Sequence, residues 1–270
     1  VSDNMQVAMV AMKKSIAVEK NITATGKDVN KEAGLEVYYE DDCRLKNISR
    51  ELEVLLCKEE FDVCFCLSWH WVISKEFINR FKYGVFGWHG SMFKLPHGFG
   101  RSPINWSIRL GAKEIYHTCF KYTSISDHGP IYSEKKIYID EYDHIGDILE
   151  KSTDLMYLDI TRLIKDNGNI KLINRGVNTP IYFEKLTELS GEVILDDKDL
   201  SEITNIVRSC SDPFPKAYIE MNDGYKIRLK RILKRPKRGC LVLTKKDKTS
   251  YLDVEENITK KKLEELNRQF

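Results

Sequence analysis

The chain has 270 residues, 42% of them hydrophobic, and its 43 Lys and Arg nearly balance 41 Asp and Glu. That length buries a sizeable core and holds one large domain plus a small one, while a net charge of +2 leaves no global field to recruit a polyanion. Seven cysteines form no Cys-x-x-Cys pair, as a reducing compartment allows, so a cytoplasmic location is expected. No apolar run reaches the length of a bilayer, and Val1 to Met5 carry no basic or apolar leader pattern, so no membrane partner is expected.

In chain order, Gln6 to Met12 predicts a short apolar strand, followed by a polar, Lys-rich loop to about Glu32 and a second short strand over Gly34 to Tyr39. Ile48, Leu52, Val54, Leu55 and Leu56 recur at helical spacing, which predicts an amphipathic helix over Ile48 to Glu59. Phe61 to Leu67 is almost continuously apolar, as a parallel strand covered on both faces requires, and Ser74 caps a helix to Phe81. A strand over Gly84 to Gly87 then opens abruptly into aromatic, imidazole and small polar groups. Ser102-Pro103 starts a helix to about Leu110, strands follow over Tyr116 to Tyr122 and Pro130 to Ile139, and a long helix covers Asp143 to Lys165. Strands alternating with helices imply an α/β fold with an open, mostly parallel, Rossmann-like sheet, helices on both faces and a site at strand carboxyl ends.

Past Asn167 the chain becomes rich in turns. A helix is expected over Leu200 to Ser209, and strands over Ala217 to Met221, Lys226 to Leu233, Cys240 to Thr244 and Ser250 to Val254, a pattern that suits a small OB-like β-barrel. The expected domains are residues 1–175, catalytic, and 176–270, the barrel. No glycine-rich phosphate loop is present.

His89 alone is as compatible with a structural histidine as with a catalytic one, and Asp127 beside His128-Gly129 with a simple turn. Their joint setting is more informative: Gly87-Trp88-His89, then Lys94-Leu95-Pro96, Gly98 to Pro103 and Trp106, and after one helix and one strand Asp127-His128-Gly129-Pro130-Ile131. This constellation resembles the folate-dependent formyltransferases, whose pattern is Asn-x-His, a Leu-Pro and Gly-rich loop leading to Pro-x-x-Trp, then Asp-x-Gly-x-Ile. Asp212 to Tyr218 is similar to the segment that opens the barrel of the longer members. Three departures stand out: Gly87 replaces the family Asn, Met92 and Phe93 read as an insertion, and the first βα unit of the family is missing ahead of Gln6 or lies outside this chain.

The resemblance implies an enzyme that moves a formyl group from 10-formyltetrahydrofolate to an amine. It makes His89 and Asp127 catalytic: His89 stabilises the oxyanion of the tetrahedral intermediate, and Asp127 orients the imidazole and accepts or relays the amine proton. With Gly87 lacking a side chain, the second donor is a backbone N–H, Ser91 or Asn105. The resemblance puts Ser68, Trp69, Trp71, Trp88, Leu95, Pro96 and Gly129 at the folate, although two Trp at a strand end are equally a packed core. His70, His97 and His128 read as solvated loop residues, and no metal is expected, because Cys64 and Cys66 have no partner pair at ligand spacing.

Lys216 to Lys248 holds 12 basic residues against 3 acidic ones. Such a cluster either grips a tRNA backbone or forms a solvated face. The Gly-aromatic-His variant and the Gly-x-Gly-Arg-Ser-Pro loop look more like the sugar-modifying branch, so the expected acceptor is the primary amine of a nucleotide-linked amino sugar. The alternatives are a methionyl-tRNA formyltransferase, with tRNA as partner, and a catalytically impaired relative that only binds a folate or nucleotide-sugar. A homodimer is compatible with either enzyme.

Overall fold

The structure is a computed structural model and describes residues 8–12, 36–69, 71–176, 181–195, 198–255 and 266. In chain order the elements are β1 (Ala8–Met12), β2 (Glu36–Glu40), α1 (Arg50–Lys58), β3 (Val63–Cys66), α2 (Lys75–Ile78) and β4 (Gly84–Ser91). There follow β5 (Phe99–Gly100), α3 (Pro103–Arg109), β6 (Glu114–Lys121), β7 (Ile131–Tyr138), α4 (Ile145–Asp166), β8 (Tyr182–Phe183) and α5 (Leu200–Ser209). The last four are β9 (Ala217–Glu220), β10 (Lys226–Leu233), β11 (Leu241–Lys245) and β12 (Lys248–Val254). The expected loop up to Glu32 lies outside the described residues. The chain divides into two compact units, one of Val1–Trp88, Phe120–Tyr132 and Ile160–Asn174, the other of His89–Cys119, Ser133–Asp159 and Arg175–Phe270.

The first unit contains the parallel pair β1–β2 and the parallel pairing of β3 with β4, in which Cys66 stands opposite Gly87. Helix α1 forms because Ser49 caps it, its hydroxyl accepting from the Leu52 N–H at 3.2 Å. Ser49 is itself fixed by the Glu40 carboxylate, which accepts from the Ser49 N–H at 2.7 Å and from its hydroxyl at 2.6 Å. Leu45, Leu52, Ile73, Phe77, Ile78 and Val85 bury together, with Cys64, Cys66, Trp69 and Tyr122 packed against them. Each such aliphatic or aromatic side chain contributes about 1.5–3 kcal/mol on burial.

Strands β3, β4, β6 and β7 follow that order in one sheet. β6 and β7 join as an antiparallel hairpin: the Lys121 N–H donates to the Pro130 carbonyl at one end and the Ile139 N–H to the Lys113 carbonyl at the other, both at 2.9 Å. The sheet is therefore mixed, with its parallel part at β3–β4.

In the second unit, β9 to β12 make a four-stranded antiparallel sheet in the order β11-β12-β10-β9. Pairings among the described residues do not close it into the barrel expected from the strand spacing. Helix α5 covers the sheet instead. Leu200, Ile203, Ile206 and Val207 bury one stripe of the helix with Ile219, Leu229, Leu241 and Leu252 of the strands. A capping box starts α5: Asp199 accepts from the Glu202 N–H at 2.8 Å and Glu202 accepts from the Asp199 N–H at 2.9 Å. Among the described residues no helix is long and apolar enough to cross a membrane.

Candidate active site

β4 runs past Gly87 to Ser91, so His89 belongs to the strand rather than to the loop after it. Side-chain direction alternates, which puts Val85, Gly87 and His89 on one face and Phe86 and Trp88 on the other. On that other face Phe86 packs edge-on to Tyr132 at 6.1 Å and Trp88 lies 6.2 Å from Phe65.

His89, in the second unit, is 8% exposed, and its Nε2 stands 2.8 Å from the Gly98 carbonyl oxygen. A carbonyl only accepts, so Nε2 carries the proton and Nδ1 is the basic nitrogen of the neutral ring. The carbonyl is delivered by the Leu95-Pro96-His97-Gly98 turn, with Leu95 2% exposed and the Leu95–Pro96 peptide cis. Gly98 has φ +69°, and a Cβ there would fall 2.1 Å from Ser91 Oγ, so this close approach of loop to strand requires glycine.

The same loop is tied down by a two-residue ribbon that the sequence patterns do not single out. β5 pairs in parallel with β8, the Gly98 and Arg101 N–H groups donate to Ile181 and Phe183 carbonyls at 2.8 and 2.7 Å, and the Phe183 ring stacks on Trp106 and on Phe93, each at 6.0 Å. Trp106 also donates its indole N–H to the Glu184 carbonyl at 2.7 Å.

Behind His89 in this unit lies His117 on β6, 1% exposed, with no hydrogen-bond partner for either ring nitrogen among the described residues. Burial pushes its pKa down to about 4, opposed by Asp159 and reinforced by Lys135 and His89.

In the first unit, Asp127 occupies the turn after β6, half-buried and with φ +56°. Its neighbour His128 donates Nδ1–H to the Ser126 carbonyl at 2.6 Å, and Gly129 is buried against the Lys121 carbonyl. Tyr122 precedes this turn. Its ring covers Gly87, and burial first, with Cys66 and Asp127 adding to it, holds the phenol protonated. Only the strand-end position of Tyr122 is legible in the sequence, not its contact with Gly87.

Among the other expected site residues, Ser68 is exposed with φ +53°. Trp69 is drawn into the core, its indole N–H donating to the Cys43 carbonyl at 2.9 Å and its ring edge-on to Trp71 at 6.1 Å. Ser91 Oγ accepts from the Phe93 N–H at 3.2 Å, and Asn105 donates to the Ser209 carbonyl at 2.8 Å. His97 is partly buried; His70 lies outside the described residues. Among the described residues no group of three or more His, Cys, Asp or Glu side chains is arranged to hold a metal ion.

Much of the basic C-terminal segment is internally neutralised. Lys216 pairs with Asp212 at 2.9 Å, Arg228 with Glu188 at 2.6 Å, Arg231 with Asp147 and Lys237 with Asp253 at 2.7 Å. Lys245 donates to the Leu195 and Lys198 carbonyls, and the Lys234 ammonium sits 5.1 Å above the Tyr142 ring.

Residues 4–159 match the formyl transferase family, and the chain belongs to that family. It also resembles the solved methionyl-tRNA formyltransferase from Clostridium thermocellum, with a TM-score of 0.60 at 19% identity over 94% of this chain and 100% of that one. A sugar N-formyltransferase from Shewanella sp. gives a TM-score of 0.56 at 17% identity, over 87% of this chain and 100% of that one. HypX from Aquifex aeolicus, solved in complex with tetrahydrofolic acid, gives 0.58 at 13% identity, over 92% of this chain and 44% of that one. At these identities the likeness to solved structures is one of fold.

Proposed function

We propose that this formyl transferase moves the formyl group of 10-formyltetrahydrofolate to the primary amine of a nucleotide-linked amino sugar. The observation that carries the catalytic part is His89, a buried imidazole at a strand end whose tautomer is fixed by the Gly98 carbonyl at 2.8 Å. The amine attacks the formyl carbon, a carbon–nitrogen bond forms and the carbonyl oxygen becomes an oxyanion. Collapse breaks the bond to folate N10, and the proton lost by the amine ends on N10. With Nε2–H held, Nδ1 of His89 is the nitrogen that takes up and returns a proton. The family pattern assigns to Asp127 the relay of the amine proton. Trp71 and Trp88 keep part of their aromatic surface exposed, which suits a pterin, whereas Leu95 and Pro96 are buried within their own loop.

The acceptor assignment is supported by the basic segment, where ion pairs already neutralise Lys216, Arg228, Arg231 and Lys237. Each cation committed to a carboxylate is one fewer counterion released from a tRNA backbone. The test is formylation of nucleotide-linked amino sugars and of methionyl-tRNA by the wild type, His89→Asn and Asp127→Asn. Expected are turnover on the sugar and a loss of about 10²-fold or more in each folded variant. Near-wild-type rates in both variants would refute the catalytic roles, and efficient, salt-sensitive formylation of tRNA would overturn the acceptor.

A further inference from the structure

Building on the formyl-transfer reading above, we propose that Glu134 is a positioning residue for His89: its carboxylate anchors both the loop that fixes the His89 tautomer and the segment that clamps that loop. Every residue in the argument belongs to the second unit.

The strand faces decide where Glu134 stands. An ideal Cβ at Gly90 would fall 3.5 Å from Ile115 Cδ1, and Ile115 buries with Ile148 of α4, so Gly90 and Ile115 point toward α4. Side chains alternate along a strand, and His89 of β4 and Tyr116 of β6 therefore point to the opposite face. On β7 the Lys135 ammonium reaches Asp159 of α4, which turns Glu134 to the face of His89 as well. Adjacent strands lie about 4.8 Å apart, and β6 stands between β4 and β7. Glu134 is thus on a strand about 10 Å across the sheet from that of His89, and it acts through the chain that covers this face.

One carboxylate holds two cations. Glu134 Oε1 accepts from Lys94 Nζ at 3.0 Å and from Arg175 Nη2 at 3.3 Å, while Oε2 accepts from Arg175 Nη1. The Glu134 side chain is 13% exposed, so this partly bidentate group is screened less than a surface pair. Burial pushes the carboxyl up, but Arg175 and Lys94 outweigh it and hold Glu134 below the usual carboxylate range. Lys94 Nζ also lies 4.9 Å from the centre of the Tyr116 ring. Each cation leads into a different part of the clamp. The Lys94 carbonyl accepts from the His97 N–H at 3.0 Å, closing the turn that delivers the Gly98 carbonyl to His89 Nε2. Arg175 begins the stretch that runs to Ile181 and Phe183, whose carbonyls accept from the Gly98, Phe99 and Arg101 N–H groups. Without the carboxylate both tethers are released, and the Gly98 carbonyl loses its fixed station beside the imidazole.

Nitrogen chemical shifts of the His89 ring at pH 8, assigned by their loss in His89→Gln, test this in the whole protein without any substrate. The wild type should show one tautomer, with Nε2 protonated and Nδ1 bare. Glu134→Gln keeps the size of the side chain and removes its charge. Expected are a mixture of the two tautomers and a fall of about 10- to 100-fold in kcat for formyl transfer to a nucleotide-linked amino sugar, with KM for 10-formyltetrahydrofolate within about twofold of wild type. Lys94→Met, at a side chain 52% exposed, guards against a folding defect and should shift the tautomer in the same direction, whereas Lys94→Arg keeps the ion pair and should keep the wild-type spectrum. Adding Lys94→Met to Glu134→Gln should change little further, as links of one tether do. Either an unchanged tautomer or an unchanged kcat in Glu134→Gln overturns the inference, while the wild-type activity leaves the formyl-transfer reading intact. A wild type without formyl transfer removes that reading, and the tautomer alone then decides whether Glu134 positions His89.

Discussion

A glycine between bulky strand residues leaves a hole, and at position 87 the hole is filled from the side by a phenol that the chain delivers at the exit of β6. Gly87→Asn therefore adds a side chain where Tyr122 already stands. Overpacking of this kind typically costs about 1–3 kcal/mol, so the expected result is a lower urea midpoint with an unchanged slope, partly restored when Tyr122→Ala is added. A Gly87→Asn protein as stable as the wild type would show that the ring is free to move aside. The departure at Gly87 is legible in the sequence, because a strand-end motif with Asn in the family pattern has lost its side chain here. What fills the space is not legible, since nothing in the periodicity around Tyr122 encodes a contact with a strand so far back in the chain. Ser91 and Asn105 were natural candidates by proximity in sequence to His89; their hydrogen bonds to Phe93 and Ser209 are tertiary facts that residue types alone do not carry.

Among the elements, legibility follows length and strength of signal. α5 is readable to its ends because Asp199, the apolar stripe at Leu200, Ile203, Ile206 and Val207, and the stop at Cys210 all agree. Strands β10 and β7 come close for the same reason, whereas β5 and β8, two residues each, lie below any periodicity. Strand spacing likewise predicts the count of C-terminal strands but not closure, which depends on whether the edges pair or a helix covers the face. The unread ribbon matters to the site, because it holds the loop whose Gly98 carbonyl orients His89. Phe183, 8% exposed and stacked on both Phe93 and Trp106, is its anchor. Phe183→Ala removes a buried ring, a change that costs about 3–5 kcal/mol where the cavity does not collapse. The expected signature is faster hydrogen exchange at the Gly98, Phe99 and Arg101 amides, which donate to the 181–183 segment, with α5 amides still protected and kcat reduced. Uniform loss of protection across α5 as well would mean that the ribbon is part of the global core rather than a local clamp.

For the molecule as a whole, two buried histidines contribute to the response to acid. Burial pushes both His117 and His144 down to about 4. Asp159 opposes the shift at His117, while Lys135 and His89 add to it. At His144, Arg231 and Arg208 add to it against Asp147 and the Tyr142 carbonyl. The unfolded chain takes up these protons near 6.5 and the folded chain only near 4, so between those values the unfolded state binds more protons. Their contribution to stability is thus fully present above about pH 6.5 and is lost as pH falls toward 4, by at most roughly 3 kcal/mol per histidine. The two sites separate on mutation because their hydrogen bonding differs. His144 is locked neutral by backbone, donating Nδ1–H to the Tyr142 carbonyl at 2.9 Å and accepting from the Ile232 N–H at 3.0 Å. His144→Phe strands a buried N–H and should destabilise the protein at every pH. His117 makes no hydrogen bond among the described residues, so His117→Phe removes a titration and leaves no orphan. Denaturant midpoints taken from pH 8 to pH 4.5 should show His117→Phe at or above wild-type stability at pH 8 and a shallower decline on acidification. A decline as steep as that of the wild type would mean that His117 is not the group that resists protonation.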